Sequence, residues 1–117
     1  MTRKWDPNGV FDVLADPHVR RILVETRAKR RSVKDLSRIC DGSESSIYRR
    51  VGVMATHGLL REETKVDREG HHYSVYEPNF ETIEVRLNAN QLLVTLRQAD
   101  GSSSTFAEGP ESIGGEL

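Results

Sequence analysis

The chain holds one cysteine, Cys40, in 117 residues. A lone thiol closes no internal disulfide and builds no thiolate metal site by itself, so a reducing cytoplasm is the expected setting. Long apolar runs are missing too: the longest are three residues, as in Ile22-Leu23-Val24 and Leu92-Leu93-Val94. Neither a spanning helix nor a secretory signal is therefore expected. No glycine spacing matches a phosphate-binding loop, no nucleophile stands with a base in a recognisable pattern, and no period signals a repeat array. Enzymatic activity is not expected, and no cofactor is implied. Hydrophobic residues make up 36% and charged residues 30%, enough for one modest core but not for a large buried cavity beside it.

The formal charge of −1 conceals an asymmetry. Residues 1–79 carry 15 Lys and Arg against 12 Asp and Glu, a balance of +3, while residues 80–117 carry 2 against 6, a balance of −4. Within residues 18–50 the count is 10 against 4. Local charge governs contact with an anionic partner, so this stretch points to one. Arginine supplies 13 of the 17 cations, a bias that fits a GC-rich genome such as that of a haloarchaeon.

Apolar spacing predicts a short helix from Asn8 to Ala15, and Asp16-Pro17 reads as the capped start of a second. Val19, Ile22, Leu23 and Thr26 form the inner stripe of that helix, which runs to about Lys29 with Arg20, Arg21, Arg27 and Lys29 outside. Ser32 and Asp35 resemble a capping box opening a third helix, with Val33, Leu36, Ile39 and Cys40 inward. Asp41-Gly42 turns the chain, and Ser43 caps a fourth helix with Ile47, Val51 and Met54 inward and Gly58 at its left-handed end. The period then changes to two. Leu60, Thr64 and Val66 lie on one strand, the Asp67–Gly70 segment turns, and Tyr73 and Val75 lie on the return. A second alternating pair follows: Ile83, Val85 and Leu87 share one face of a strand, Ala89-Asn90 turns it in either of two adjacent registers, and Leu92, Val94 and Leu96 share a face of the return strand. From residue 99 the composition predicts a disordered acidic tail.

Helix, helix, helix, turn, helix, hairpin is the order of a winged helix-turn-helix, and the stretch SVKDLSRICDGSESSIYRRVGVMATHGLLREETKVDREGHHYSVYEP resembles the ArsR-like family of prokaryotic transcriptional regulators. DPHVRRIL is similar to the helix that precedes the motif in that family. The likeness covers roughly residues 8–79, about two thirds of the chain. It implies a winged helix-turn-helix; with the C-terminal β-hairpin and the tail read from the residues themselves, the expected fold is α+β, one domain over residues 1–98 followed by a tail over 99–117. Two features depart from the family. Residues 81–97 read as a hairpin where many members have a dimerising helix, and SRIC offers one cysteine where metal-sensing members place paired thiolates. No metal is therefore carried over.

A recognition helix over residues 43–57 would lie in the major groove and a wing over 65–73 on the adjacent backbone or minor groove. With Ile47 at the core, 100° per residue puts Ser45 and Arg49 on the opposite side, flanked by Ser46 and Tyr48. Arg49 offers a fork to a guanine edge, and Ser45 and Ser46 offer hydroxyls to bases or phosphates. Tyr48 and Arg50 fall nearer the flanks, where phosphate is the expected contact, and Ser43 starts the helix with free N–H groups. Glu44 either accepts from a cytosine amine or repels phosphate. Lys65, Arg68, His71 and His72 surround the wing turn, and Ser32 and Lys34 begin the third helix as phosphate contacts. The run Arg27, Lys29, Arg30, Arg31 adds electrostatic attraction or is a solvated face.

The expected protein is thus a sequence-specific double-stranded DNA-binding regulator: a homodimer, because symmetric sites are most simply read by a two-fold dimer, and a repressor or local regulator, because the chain has no room for a separate effector domain. Trp5, Val10, Phe11 and Leu14 are either core or the dimer seam, the resemblance favouring the seam, and the C-terminal hairpin is the other candidate interface. Adjacent His71 and His72 on a strand point to opposite faces and make poor joint ligands. Cys40 reads as a small core residue rather than a redox sensor. The alternative from another class is a winged-helix protein–protein interaction module without DNA binding.

Overall fold

The computed structural model describes residues 7–109 and has the element order α1 Pro7–Leu14, α2 Pro17–Ala28, α3 Val33–Ile39, α4 Glu44–Thr56, β1 Leu60–Val66, β2 His72–Pro78, β3 Thr82–Leu87, β4 Leu92–Arg97 and β5 Ser103–Glu108. No described helix is long and apolar enough to cross a membrane. The chain divides into two compact units at Asn79/Phe80, where the sequence suggested one domain over 1–98.

In the first unit α2, α3 and α4 each start where a side chain satisfies a free amide. Asp16 caps α2 by accepting from His18 N–H at 2.9 Å, with Pro17 in the first turn. Ser32 and Asp35 close a full capping box on α3, Ser32 Oγ accepting from Asp35 N–H and the Asp35 carboxylate from Ser32 N–H, each at 3.1 Å. Ser43 Oγ accepts from Ser46 N–H at 3.1 Å to begin α4. Such caps are each worth about 1 kcal/mol. Asp41 and Gly58, both at positive φ, end α3's turn and α4 respectively.

The core of this unit is one apolar cluster. Val10, Val13, Val19, Ile22, Leu36, Ile47, Val51, Met54, Leu59, Leu60, Val75 and Tyr76 are all buried. Thr26, the one buried polar residue among those described, returns its hydroxyl to Ile22 C=O at 2.7 Å. Only the base of the β1–β2 hairpin is inside; Val66 and Tyr73 are exposed near its tip. The pairing runs from Leu60↔Pro78 to Val66↔His72.

Two clasps fix where that hairpin stands. Arg31 and Tyr76 exchange backbone hydrogen bonds at 3.2 and 2.8 Å, joining the α2–α3 linker to β2. Asn79 N–H donates to Leu59 C=O at 3.0 Å and closes the hairpin's base. The hairpin is therefore held beside the start of α3.

The second unit is an antiparallel sheet of order β3-β4-β5. Ile83, Val85 and Leu87 pair with Leu96, Val94 and Leu92, so the expected face is formed. β5 is an addition: residues 103–108 were expected in a disordered tail and instead form a strand on β4. Its ladder is backbone hydrogen bonding, Phe106 opposite Val94 is its apolar anchor, and the Thr95 and Thr105 hydroxyls meet at 3.0 Å. Composition measures side-chain burial and undercounts what an open strand edge offers to any backbone. Residues 110–117 of the expected tail, and Trp5, lie outside the described residues.

Candidate nucleic-acid interface

The exposed arc of α4 looks out over two depressions of the first unit. Toward the hairpin lies a groove of about 880 Å³ whose walls include Ser32, Lys34, Glu44, Ser45, Tyr48, Asp67, His71 and Tyr73. Toward α1 and α2 lies a smaller cleft of about 210 Å³ bordered by Asp12, Asp16, Arg49, Arg50 and Val53. The strip read from the helical wheel is real as a surface, since Ser45, Tyr48 and Arg49 are all exposed. It is divided: Ser45 and Tyr48 face the hairpin side, Arg49 the α1 side.

The serines differ from one another in what they have left to offer. Ser32 and Ser43 are occupied as caps. Ser43 Oγ also sits 3.4 Å from Ser45 Oγ. Ser46 Oγ accepts from Arg50 and is half-buried. Ser45 keeps an outward hydroxyl at the first turn of α4.

The cations separate more sharply. Arg50 donates Nε to the Asp16 carboxylate at 2.9 Å with only 19% of its side chain exposed, which makes it a strut between α4 and the start of α2. Lys65 is half-buried, its Nζ 3.6 Å from the Glu63 carboxylate. The linker run is likewise engaged in part: Arg30 pairs with Glu63 and Glu77, and Arg31 with Glu25. Among the described residues Lys34, Arg49 and Arg68 are exposed with side chains bonded to no protein group.

Carboxylates account for most of the groove's charge. Asp35, Glu44, Glu62 and Asp67 line it together with Lys34 and Arg38, four acids against two cations. Hydrogen bonding from the Ser32 backbone holds the Asp35 carboxyl below its ordinary range, with Arg38 3.2 Å away. At the hairpin tip Asp67 organises the turn, its carboxylate accepting from the N–H groups of Glu69 at 2.9 Å and His71 at 2.8 Å. His71 Nδ1 lies 3.3 Å from Asp67 and 3.5 Å from Glu69. The ligand atoms of these three exposed residues fall within 4.8 Å of one another. The sequence reading weighed His71 only with His72, which is exposed at the first position of β2.

Two features escaped the sequence reading. The acidity of the groove depends on Glu62 and Asp67 arriving opposite Glu44, which no spacing in α4 announces. Gly52 was readable, since at seven residues after Ser45 it falls on the same outer strip. It is exposed mid-helix, and a Cβ built there meets nothing within 4 Å.

With this geometry in place, residues 14–63 match a family model described as a helix-turn-helix domain. The matched segment contains the whole of α2, α3 and α4. Residues 14–63 are thus similar to a helix-turn-helix domain. A comparison with curated proteins finds no match.

Proposed function

We propose that this chain is a double-stranded DNA-binding transcriptional regulator of winged helix-turn-helix type, with α4 entering the major groove and the β1–β2 hairpin acting as the wing. The observation that supports it is the start of α4: free amides, the Ser45 hydroxyl, the Tyr48 ring and the unpaired Arg49 guanidinium lie together on the exposed side of a matched helix-turn-helix. Arg49 reads a base edge; Ser45 and Tyr48 reach bases or sugar-phosphate; Lys34 and Arg68 contact phosphate on either side. Ser32, Ser43, Ser46 and Arg50 serve this surface by holding it rather than by touching DNA, and Lys65, His71 and His72 add attraction at the wing.

The regulator acts as a repressor and as a homodimer, since occupying a two-fold operator is the simplest way for a helix-turn-helix to regulate. Its role is binding, not catalysis, and it works inside the cytoplasm in the ArsR-like manner.

One observation favours a second reading. The groove's four carboxylates suit a basic protein segment better than a phosphate backbone, which is how the same surface would serve in a protein-interaction module. Titration of duplexes from upstream of the gene and of random sequence, at two salt concentrations, separates the readings. Binding that prefers the upstream duplex and falls steeply with salt supports the regulator. Failure to bind either duplex at low salt transfers the function to the protein-interaction reading.

A further inference from the structure

The second unit carries a strand edge that is complementary to itself. β3 stands at one edge of its sheet, and among the described residues no strand or bridge pairs with its outer side. Asn88 N–H donates to Gln91 C=O at 3.0 Å, which makes that pair a hydrogen-bonded one. Antiparallel alternation then turns the backbone groups of Thr82, Glu84 and Arg86 toward β4 and those of Ile83, Val85 and Leu87 outward. The outward three are apolar, and the strand is not blunted by proline or lysine. Val85 is 55% and Leu87 81% exposed. Edges of this kind are templates for pairing.

We propose that β3 pairs antiparallel with β3 of a second copy of this chain about a two-fold axis at Val85, joining two three-stranded sheets into one. The proposal rests on the dimeric reading above and names its interface. In this register Val85 exchanges its N–H and C=O with the partner's Val85, and Ile83 lies opposite the partner's Leu87. The apolar face then continues from one copy into the other. On the opposite face Glu84 meets the partner's Arg86, twice by symmetry. A shift of two residues either way would still match the backbone groups, but would set Glu84 against Glu84 or Arg86 against Arg86. The charges thus select one register. Within its own chain Arg86 is 3.9 Å from Glu84 with 74% of its side chain exposed, so it is available to a partner.

Light scattering of the full chain over a concentration series tests this, with circular dichroism as a control for folding. Val85→Pro removes an outward N–H and none of the β3–β4 ladder, so it should leave a folded monomer. Arg86→Glu and Glu84→Arg each set like charges across the axis, and each alone should raise the dissociation constant roughly ten-fold. Mixed in equal amounts they should form heterodimers, because each supplies the charge the other needs; this rescue excludes misfolding as the cause. A wild-type chain that stays monomeric overturns both the dimeric reading and this interface. A dimer that Val85→Pro leaves unchanged overturns the interface alone and places the seam elsewhere.

Discussion

Arg50 Nε lies 2.9 Å from the Asp16 carboxylate, and the same carboxylate caps α2 through His18 N–H. One acid therefore ties α4 to α2, the helix two elements earlier. Arg49, its neighbour in sequence, has no such partner and faces solvent. The two arginines are adjacent on the chain and divided in role, because a 100° step takes one side chain inward against α2 and the other outward.

Substitution should expose that division. Arg50→Ala removes a charge-assisted hydrogen bond, worth about 1 kcal/mol once its partial exposure is considered. The chemical denaturation midpoint should fall, while the salt slope of DNA binding stays as in wild type. Arg49→Ala should leave the midpoint unchanged and lose base discrimination by about 1–3 kcal/mol, read as the affinity ratio between specific and random duplex. If instead Arg50→Ala lowers the salt slope by about one ion at unchanged stability, Arg50 is a phosphate contact and not a strut.

The same carboxylate sets an acid response. Asp16 is held below its ordinary value of 3.8 chiefly by the hydrogen bond from Arg50, and Asp35 is held below it chiefly by Ser32 N–H. A carboxyl with a depressed folded value contributes stability that is fully present above 3.8 and is lost as pH falls through that lower value. Denaturation midpoints measured from pH 6 to pH 3 should therefore drop for the wild type. Asp16→Asn and Asp35→Asn should each start lower at pH 6 and drop less. Parallel curves for all three proteins would show that these groups do not carry the acid sensitivity.

Helices α2 to α4 were legible because their signals are local: Asp16-Pro17, the Ser32–Asp35 box, Ser43 and Gly58 each act within one turn of their own position. The exposed strip of Ser45, Tyr48 and Arg49 followed from helical periodicity for the same reason. Arg50's engagement was not legible, since Asp16 lies 34 residues away and only the packed fold brings them together. β5 was hidden for a related cause. Four of its six residues are polar, and the edge of β4 that receives them cannot be seen in the composition of residues 103–108.

Cys40 illustrates how burial decides reactivity. It ends α3, its N–H donating to Leu36 C=O at 2.8 Å, and burial pushes its thiol above the ordinary 9.0. The thiolate is the reactive form, so little of it exists near neutral pH. Alkylation by iodoacetamide at pH 7.5 should run more slowly in the native protein than in denaturant. Cys40→Ala should bind DNA as the wild type does. Rapid native labelling that also weakens DNA binding would restore the redox-sensor reading.

Gly52 places a weak helix former in the middle of α4, where nothing in the fold requires it. A Cβ there meets open space, and the residue's backbone is helical, so neither packing nor conformation explains the choice. Gly52→Ala should therefore raise stability by about 0.5–1 kcal/mol, seen as a higher denaturation midpoint. If the outer strip of α4 lies in a DNA groove, the missing side chain is what lets the helix backbone approach the duplex. Gly52→Leu would then keep the fold and weaken binding to every sequence, whereas Gly52→Ala would weaken it less. Unchanged affinity in Gly52→Leu would mean that α4 docks through its first turn alone, with the strip beyond Arg49 standing clear of the DNA.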